Sequence, residues 1–203
     1  MKNIEGVIMV LRIALILFVL FMVSACGDSK RVAYPVKSVA SVPHVSPRLD
    51  TRTQVNYLAA VNRMRAKTRK CGNTVYKAAK PLRWNTALYK ASYEHSNDMA
   101  VCSYFSHKGS GKQSDWTAQK QKLGQCSSFV NRIENNGYIR HRGISENIAY
   151  GANSIETVMQ QWIGSKDHCK NIMNPLYTEV GMAEVVSENG IHYWTQNFGA
   201  KLP

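Results

Sequence analysis

Glu146 and His168 stand on either side of the strongest helix signal in the chain. A carboxylate and an imidazole that bracket a buried helix can converge on one side of a domain. These residue types suit proton transfer or metal ligation. Two further neighbours invite a nucleophile reading, Ser106 beside His107 and Cys169 beside His168. Adjacency along the chain is not a nucleophile–base geometry, so neither pair identifies a hydrolase by itself. The chain has no H-E-x-x-H, no G-x-S-x-G and no phosphate-binding loop, which removes the common zincin, esterase and nucleotide-dependent classes.

The helix between these residues is well specified. Ser154 can cap its first turn, Glu156 suits its positive end, and Ile155, Val158, Met159 and Trp162 form one apolar stripe. Gly164 ends it, Ser165 can cap a short second helix through Met173, and Pro175 stops that one. Earlier, Asp50 or Thr51 starts a helix whose predicted inner face is Val55, Leu58, Ala59 and Asn62. Its end is crowded with cations and broken at Gly72 and Asn73. Leu82 to Trp84 is extended. Asn85 caps a helix that turns Leu88, Ala91, His95 and Met99 inward. A lone histidine on such a stripe is a hydrogen-bonded core residue rather than a ligand. The polar stretch 108–128 should pack through Trp116 and be tied back by Cys126. A helix follows at Phe129 to Asn135, closed by Gly137. Tyr177 to Val186 and Ile191 to Phe198 read as strands joined at Asn189-Gly190. Helices and strands thus come mixed, with no internal repeat, which predicts an α+β domain.

The 203 residues fit one domain plus extras. Lys2 and Arg12 precede an eleven-residue apolar run, Ile13 to Val23, too short to span a bilayer comfortably. Ser24, Ala25 and Cys26 follow. Residues 1–25 therefore read as a secretory signal, and Val23 to Cys26 is similar to the bacterial lipobox, in which the cysteine carries lipid. Residues 26–50, with Pro35, Pro43 and Pro47, form a linker, leaving 51–203 as the domain. The lipid would make a membrane the first partner and the cell envelope the location. Gly27 lacks the aspartate that retains some lipoproteins at the inner membrane, so the outer membrane is expected if the source has one. The net charge of +13 is concentrated early: residues 26–83 hold 13 bases against Asp28 and Asp50. This basic 30–83 segment suits anionic envelope components, and export leaves no role for nucleic acid. With Cys26 lipidated, Cys71, Cys102, Cys126 and Cys169 make an even set, read as two disulfides in an exported chain.

Several motifs in order carry a resemblance. Asn-x-x-Arg at 62–65, Pro-Leu-Arg-Trp-Asn at 81–85, His-Ser-Asn-Asp-Met-Ala at 95–100 and Phe-Ser-His at 105–107 come first. Glu-Asn-Ile-Ala at 146–149, Ser-x-x-His-Cys-x-Asn-Ile-Met at 165–173, Tyr-Thr-Glu-Val-Gly at 177–181 and Tyr-Trp-Thr-Gln-Asn-Phe-Gly at 193–199 complete the set. Over roughly 55–200 the chain resembles the CAP superfamily, or SCP domain, in its compact bacterial branch. The resemblance implies an α-β-α sandwich with a small antiparallel sheet between helix layers. It also implies a cleft that can hold zinc, and places His107, Glu146 and His168 in it. The second carboxylate of that family cleft has no counterpart, since Ser165 stands near its place. The rival for Glu146 is a polar cluster that satisfies nearby amides and holds loops together. The resemblance further suggests a Cys71–Cys169 disulfide, leaving Cys102 with Cys126. The expected function is a lipid-anchored, monomeric ligand- or partner-binding module, not an enzyme. A metal-assisted hydrolase of peptides or envelope polymers, and a lipid- or sterol-binding protein, are the alternatives.

Overall fold

The structure is a computed structural model that describes residues 45–203. The residues read from sequence as a signal and a linker, up to 44 and including Cys26, lie outside the described residues. Among the described residues six helices, α1 (Thr51–Arg65), α2 (Thr86–Cys102), α3 (Trp116–Gln121), α4 (Phe129–Asn135), α5 (Ile155–Gly164) and α6 (Lys166–Met173), surround two small sheets. β1 (Arg69–Cys71) and β2 (Thr74–Tyr76) form an antiparallel pair. β3 (Arg83–Trp84), β4 (His141–Tyr150), β5 (Glu179–Val186) and β6 (His192–Lys201) form a sheet in the order β3-β5-β6-β4. Only the two-residue β3 runs parallel, beside β5, so the expected antiparallel sheet is antiparallel apart from this edge.

The two faces of this sheet differ in chemistry, which decides where a polar site can sit. Val180, Met182, Trp194 and Phe198 point toward α1, α5 and α6, and pack with Tyr57, Val61, Val158, Met159, Trp162 and Ile172. The other face receives α2 through a polar layer. Ser92 Oγ donates to the Gly181 carbonyl at 3.0 Å, Ser96 Oγ meets Thr195 Oγ1 at 2.9 Å, and Asn197 Nδ2 donates to Ser92 Oγ at 3.0 Å. The approach is close. A Cβ on Gly181 would fall 2.0 Å from the Tyr89 amide nitrogen, so glycine is required there. The hydroxyls and the Asn197 amide nitrogen are tolerated here because they gain partners, Asn197 Oδ1 alone in this layer having none.

Several local expectations hold. Asn85 caps α2 through the amides of Ala87 and Leu88, and Ser154 caps α5 through Thr157. Leu88, Ala91, His95 and Met99 are all buried. The β5–β6 hairpin forms, although its loop runs from Ser187 to Ile191 with Gly190 at φ +75°, longer than the tight two-residue turn.

Others need correction. The buried face of α1 is Tyr57, Ala60, Val61 and Arg65, and Val55 is 56% exposed. The helix also ends at Arg65, well before Gly72. Both errors come from reading Arg65 as a surface cation. Its guanidinium is buried and donates to the carbonyls of Lys80, Ile172, Asn174 and Tyr177 at 2.6–3.3 Å. Burial pushes its pKa down to about 10, so it stays charged and gathers the carbonyls that end α6. Gly72, at φ +62°, turns β1 into β2. Of the two expected disulfides, Cys71–Cys169 is present, with a Cα–Cα distance of 5.4 Å. Cys102 and Cys126 are free. Cys102 Sγ lies 3.1 Å from Ser114 Oγ, and Cys126 is exposed.

Candidate functional site

Glu146 lies in a strand, not in a loop before a helix. It pairs with Asn197 across β4–β6. Its strand neighbours Ile144 and Ile148 pack in clusters with α2 residues, so position 146 faces α2 and its polar layer. The carboxylate is almost sealed, at 1% side-chain exposure. It meets a group that sequence reasoning missed. Arg132 of α4 donates from Nη2 to both oxygens, at 3.2 and 3.0 Å. The same Nη2 donates to the His107 carbonyl at 2.9 Å, and Nη1 donates to the Ser127 carbonyl and hydroxyl. His107 adds a bond from Nδ1 to Glu146 Oε1 at 2.9 Å, with its side chain 53% exposed.

Burial alone would push the Glu146 carboxyl upward. The Arg132 charge, then His95, then the bonds from His107 and Arg132, reverse this and hold it well below the usual carboxylate range. Glu146 is therefore an ion at neutral pH, and its charge is matched by Arg132. Because Glu146 accepts at Nδ1, the neutral His107 ring carries its proton there and offers Nε2 as an acceptor.

A long polar segment brings His107 to this place. Ser103 reverses the chain after α2 at φ +50°. Three buried carboxylates then hold the segment. Asp98 accepts from Ser110 N and Ser110 Oγ at 2.7 and 2.6 Å. Asp115 accepts from Gly111 N and Ser127 N at 3.0 and 2.9 Å. Glu94 accepts from Thr117 N and Asn136 Nδ2 at 2.6 and 2.8 Å. Trp116 is buried, as expected, but the tie-back runs through Asp115 and Ser127 rather than a Cys126 bridge. Positions 91, 94, 95 and 98 recur at helical spacing, the signal that could have placed Glu94 and Asp98 inward.

His168 sits on α6, and its carbonyl accepts from Asn147 Nδ2 at 3.3 Å. Burial, then the nearby His107, push its pKa below the ordinary imidazole value, and Asp167 offsets part of this. The two histidines are electrostatic neighbours. The expected three-ligand set nevertheless does not assemble. Among the described residues no three His, Cys, Asp or Glu side chains lie together as a metal site. The donor chemistry explains why. Both Glu146 oxygens are taken by Arg132, and a divalent ion placed there would face a buried guanidinium. These residues do not fit zinc. Neither expected nucleophile candidate is paired with its neighbouring histidine: Ser106 Oγ accepts from Lys108 N at 3.1 Å, and Cys169 is in the disulfide.

The model of the cysteine-rich secretory protein family, CAP, matches residues 58–198. The chain belongs to this family. It is 33% identical over 122 residues to the uncharacterised YkwD of Bacillus subtilis (strain 168), covering 60% of this chain and 40% of that one. It is 30% identical over 117 residues to the membrane protein YlbC of the same strain, covering 58% and 28%. The chain thus spans less than half the length of these curated relatives. Two solved structures share the fold. An outer surface protein from Borrelia burgdorferi has a TM-score of 0.55 at 16% identity, over 78% of this chain and 100% of that one. An extracellular SCP-domain protein from Bacillus anthracis str. Ames has a TM-score of 0.53 at 21% identity, over 77% and 45%.

His95 ties the Glu146 cluster to acid stability. It is fully buried and donates from Nε2 to the Ser106 carbonyl at 2.8 Å, while its Nδ1 has no partner. A second proton would place an unsatisfied N–H there. Burial first, and Arg132 next, push its pKa down to about 4, against the pull of Glu146 and Asp98. The folded state refuses a proton that the unfolded chain accepts near 6.5. This contribution is therefore complete above about 6.5 and is lost as pH falls toward 4, by about 3 kcal/mol. His168 acts in the same direction. Urea midpoints between pH 7.5 and 4 should fall for the parent and fall less for His95→Gln. Parallel curves would refute the assignment.

Proposed function

We propose that this chain is an exported, lipid-anchored CAP module that binds a ligand or partner at the cell envelope without catalysing a reaction. The observation that carries this reading is the closed state of Glu146. Its two oxygens are spent on Arg132 and His107, and its charge is neutralised inside the domain. It is therefore poorly placed as a proton acceptor or a metal ligand. What the cleft offers to solvent is the half-exposed ring of His107. Export is supported by the character of residues 1–25 and by the extracellular and outer-surface relatives. Cys26 is the proposed lipid attachment point, and the basic 30–83 segment would favour anionic envelope components. One contact favours a rival. His107 braced by Glu146 resembles a general base in outline, which a hydrolase acting on peptides or envelope polymers would need.

The test uses full-length protein expressed in a bacterium that processes lipoproteins. The expected result is membrane partitioning that Cys26→Ala abolishes, zinc well below one per chain, and no turnover in a broad hydrolase screen with zinc added or chelated. Turnover that His107→Ala removes would replace the binding reading with the enzyme. Stoichiometric zinc lost in His107→Ala would restore the metal cleft.

A further inference from the structure

The outer face of α2 carries a row of aromatic rings that plays no part in the His107 cluster. Centroids of Trp84 and Tyr89 lie 5.9 Å apart, those of Tyr89 and Tyr93 6.4 Å, and those of Tyr93 and Trp116 6.1 Å. Tyr89 and Tyr93 are one helical turn apart, between Trp84 of β3 and Trp116 at the start of α3. The stretch 45–49, read from sequence as the end of a linker, crosses this row. Tyr89 donates from its hydroxyl to the Pro47 carbonyl at 2.8 Å, and Ser46 Oγ donates to the Lys90 carbonyl at 3.3 Å. Two cavities share Val45, Ser46 and Lys90 as a common wall. One, of about 430 Å³, is lined by Arg48, Gln54, Trp84 and Tyr89 among others. The second, of about 220 Å³, is lined by Trp116, Lys120, Asn135 and Asn136.

The charges of this groove are unspent. Arg48, Lys90 and Lys120 form no ion pair with any described carboxylate. Glu94, the acid in the smaller cavity, uses its oxygens on Thr117 and Asn136. Between His44 and Lys90 the chain has eleven Lys and Arg against one acid, Asp50, which caps α1.

We propose that this groove binds an acidic glycan chain. Trp84, half-exposed in the wall of the larger cavity, and Trp116, in the wall of the smaller, give ring surface for the C–H face of a sugar. Gln54 supplies an amide that can donate and accept, and the side-chain carbonyls of Asn135 and Asn136 can accept from hydroxyls, their amide nitrogens already donating to Thr117 Oγ1, Glu94 and the Arg132 carbonyl. The three unpaired cations match sparse carboxylates along the chain. Two adjoining cavities suit more than one sugar unit. A plain polyanion would need the cations but neither the rings nor the amides. A single nucleic-acid strand would use the rings but calls for a denser line of cations than three.

The test is isothermal titration of the full-length protein in detergent with a galacturonate oligosaccharide at about 0.15 M salt. A neutral chitin oligosaccharide, inorganic polyphosphate and an oligothymidylate serve as comparators. Saturable binding of the galacturonate oligomer alone is expected. Lys90→Ala with Lys120→Ala should weaken it about 10-fold or more, as the loss of charge-assisted hydrogen bonds implies. Both lysines are exposed, so this variant keeps the fold. Trp84→Leu should weaken it by a smaller factor, with thermal unfolding compared to exclude a packing effect. No saturable binding would overturn the proposal. So would binding insensitive to the lysine pair, equal binding of the neutral oligomer, or equal binding of polyphosphate or oligothymidylate.

Discussion

Arg132→Met is expected to destabilise the domain by about 3–5 kcal/mol, the cost of leaving one half of a buried ion pair. The guanidinium is 1% exposed and serves Glu146, the His107 carbonyl and Ser127 together. Without it, Glu146 keeps only the His107 bond in a sealed site and must take a proton near neutral pH. The pH dependence makes the mechanism visible. In the parent, the depressed Glu146 pKa supplies stability that is complete above the unfolded carboxylate value, about 4.3, and is lost as pH falls below it. In Arg132→Met the folded pKa moves above the unfolded one. That contribution then reverses, and the variant gains relative stability as pH falls toward 4.3. Urea unfolding of Arg132→Met, Glu146→Gln and the Arg132→Met/Glu146→Leu double variant gives the coupling. The double variant should recover much of the loss, because two apolar side chains leave no buried charge. A cost below about 1 kcal/mol for Arg132→Met would mean that the pair is solvated and worth no more than a surface contact.

This pair also shows what could and could not be read beforehand. The α5 stripe was legible because a cap, a 3.6-residue apolar period and a glycine stop agree at Ser154, Val158–Met159–Trp162 and Gly164. β4 was not legible, since its sequence alternates no apolar and polar residues. It buries Glu146 on one face and Asn147 on the other, each with dedicated partners. Glu146 has Arg132 and His107, while Asn147 has Gln196, Asn171 and the His168 carbonyl. A strand buried through polar pairs carries no period-2 signal. Arg65 and Arg132 were missed for a related reason. Each sits on a short polar helix segment where an arginine normally faces water, and only the three-dimensional arrangement of carbonyls and one carboxylate makes burial tolerable. His107 and Glu146 were found by family motif, and they do meet. The metal expected between them was the part that motif spacing could not decide, because the residue that displaces it comes from outside every quoted motif.

Losing the Cys71–Cys169 bond is expected to cost about as much, and by a different route. The bridge spans 98 residues, from the β1 hairpin to α6. Loop entropy at that length corresponds to roughly 4.7 kcal/mol. A domain of this size is stable by about 5–15 kcal/mol, so the loss approaches its whole margin. Both cysteines are 1% exposed and pack in the main core, which adds a packing term when they are replaced. Arg65 partly compensates, since it grips the end of α6 at Ile172 and Asn174 from the end of α1. The Cys71→Ala/Cys169→Ala protein should therefore keep its fold at low temperature, while its urea midpoint drops far below that of the oxidised parent. Reducing the parent under mild denaturation should produce the same shift. Cys102→Ser/Cys126→Ser supplies the contrast. Both thiols are free, and the Cys102 sulfur hydrogen-bonds with Ser114 and Asp98, roles a serine hydroxyl can take over, so the change should stay within about 1 kcal/mol. A loss in that variant as large as in the first would show that a Cys102–Cys126 bridge forms in the protein. It would also mean that the segment carrying His107 is held covalently rather than by Asp98 and Asp115.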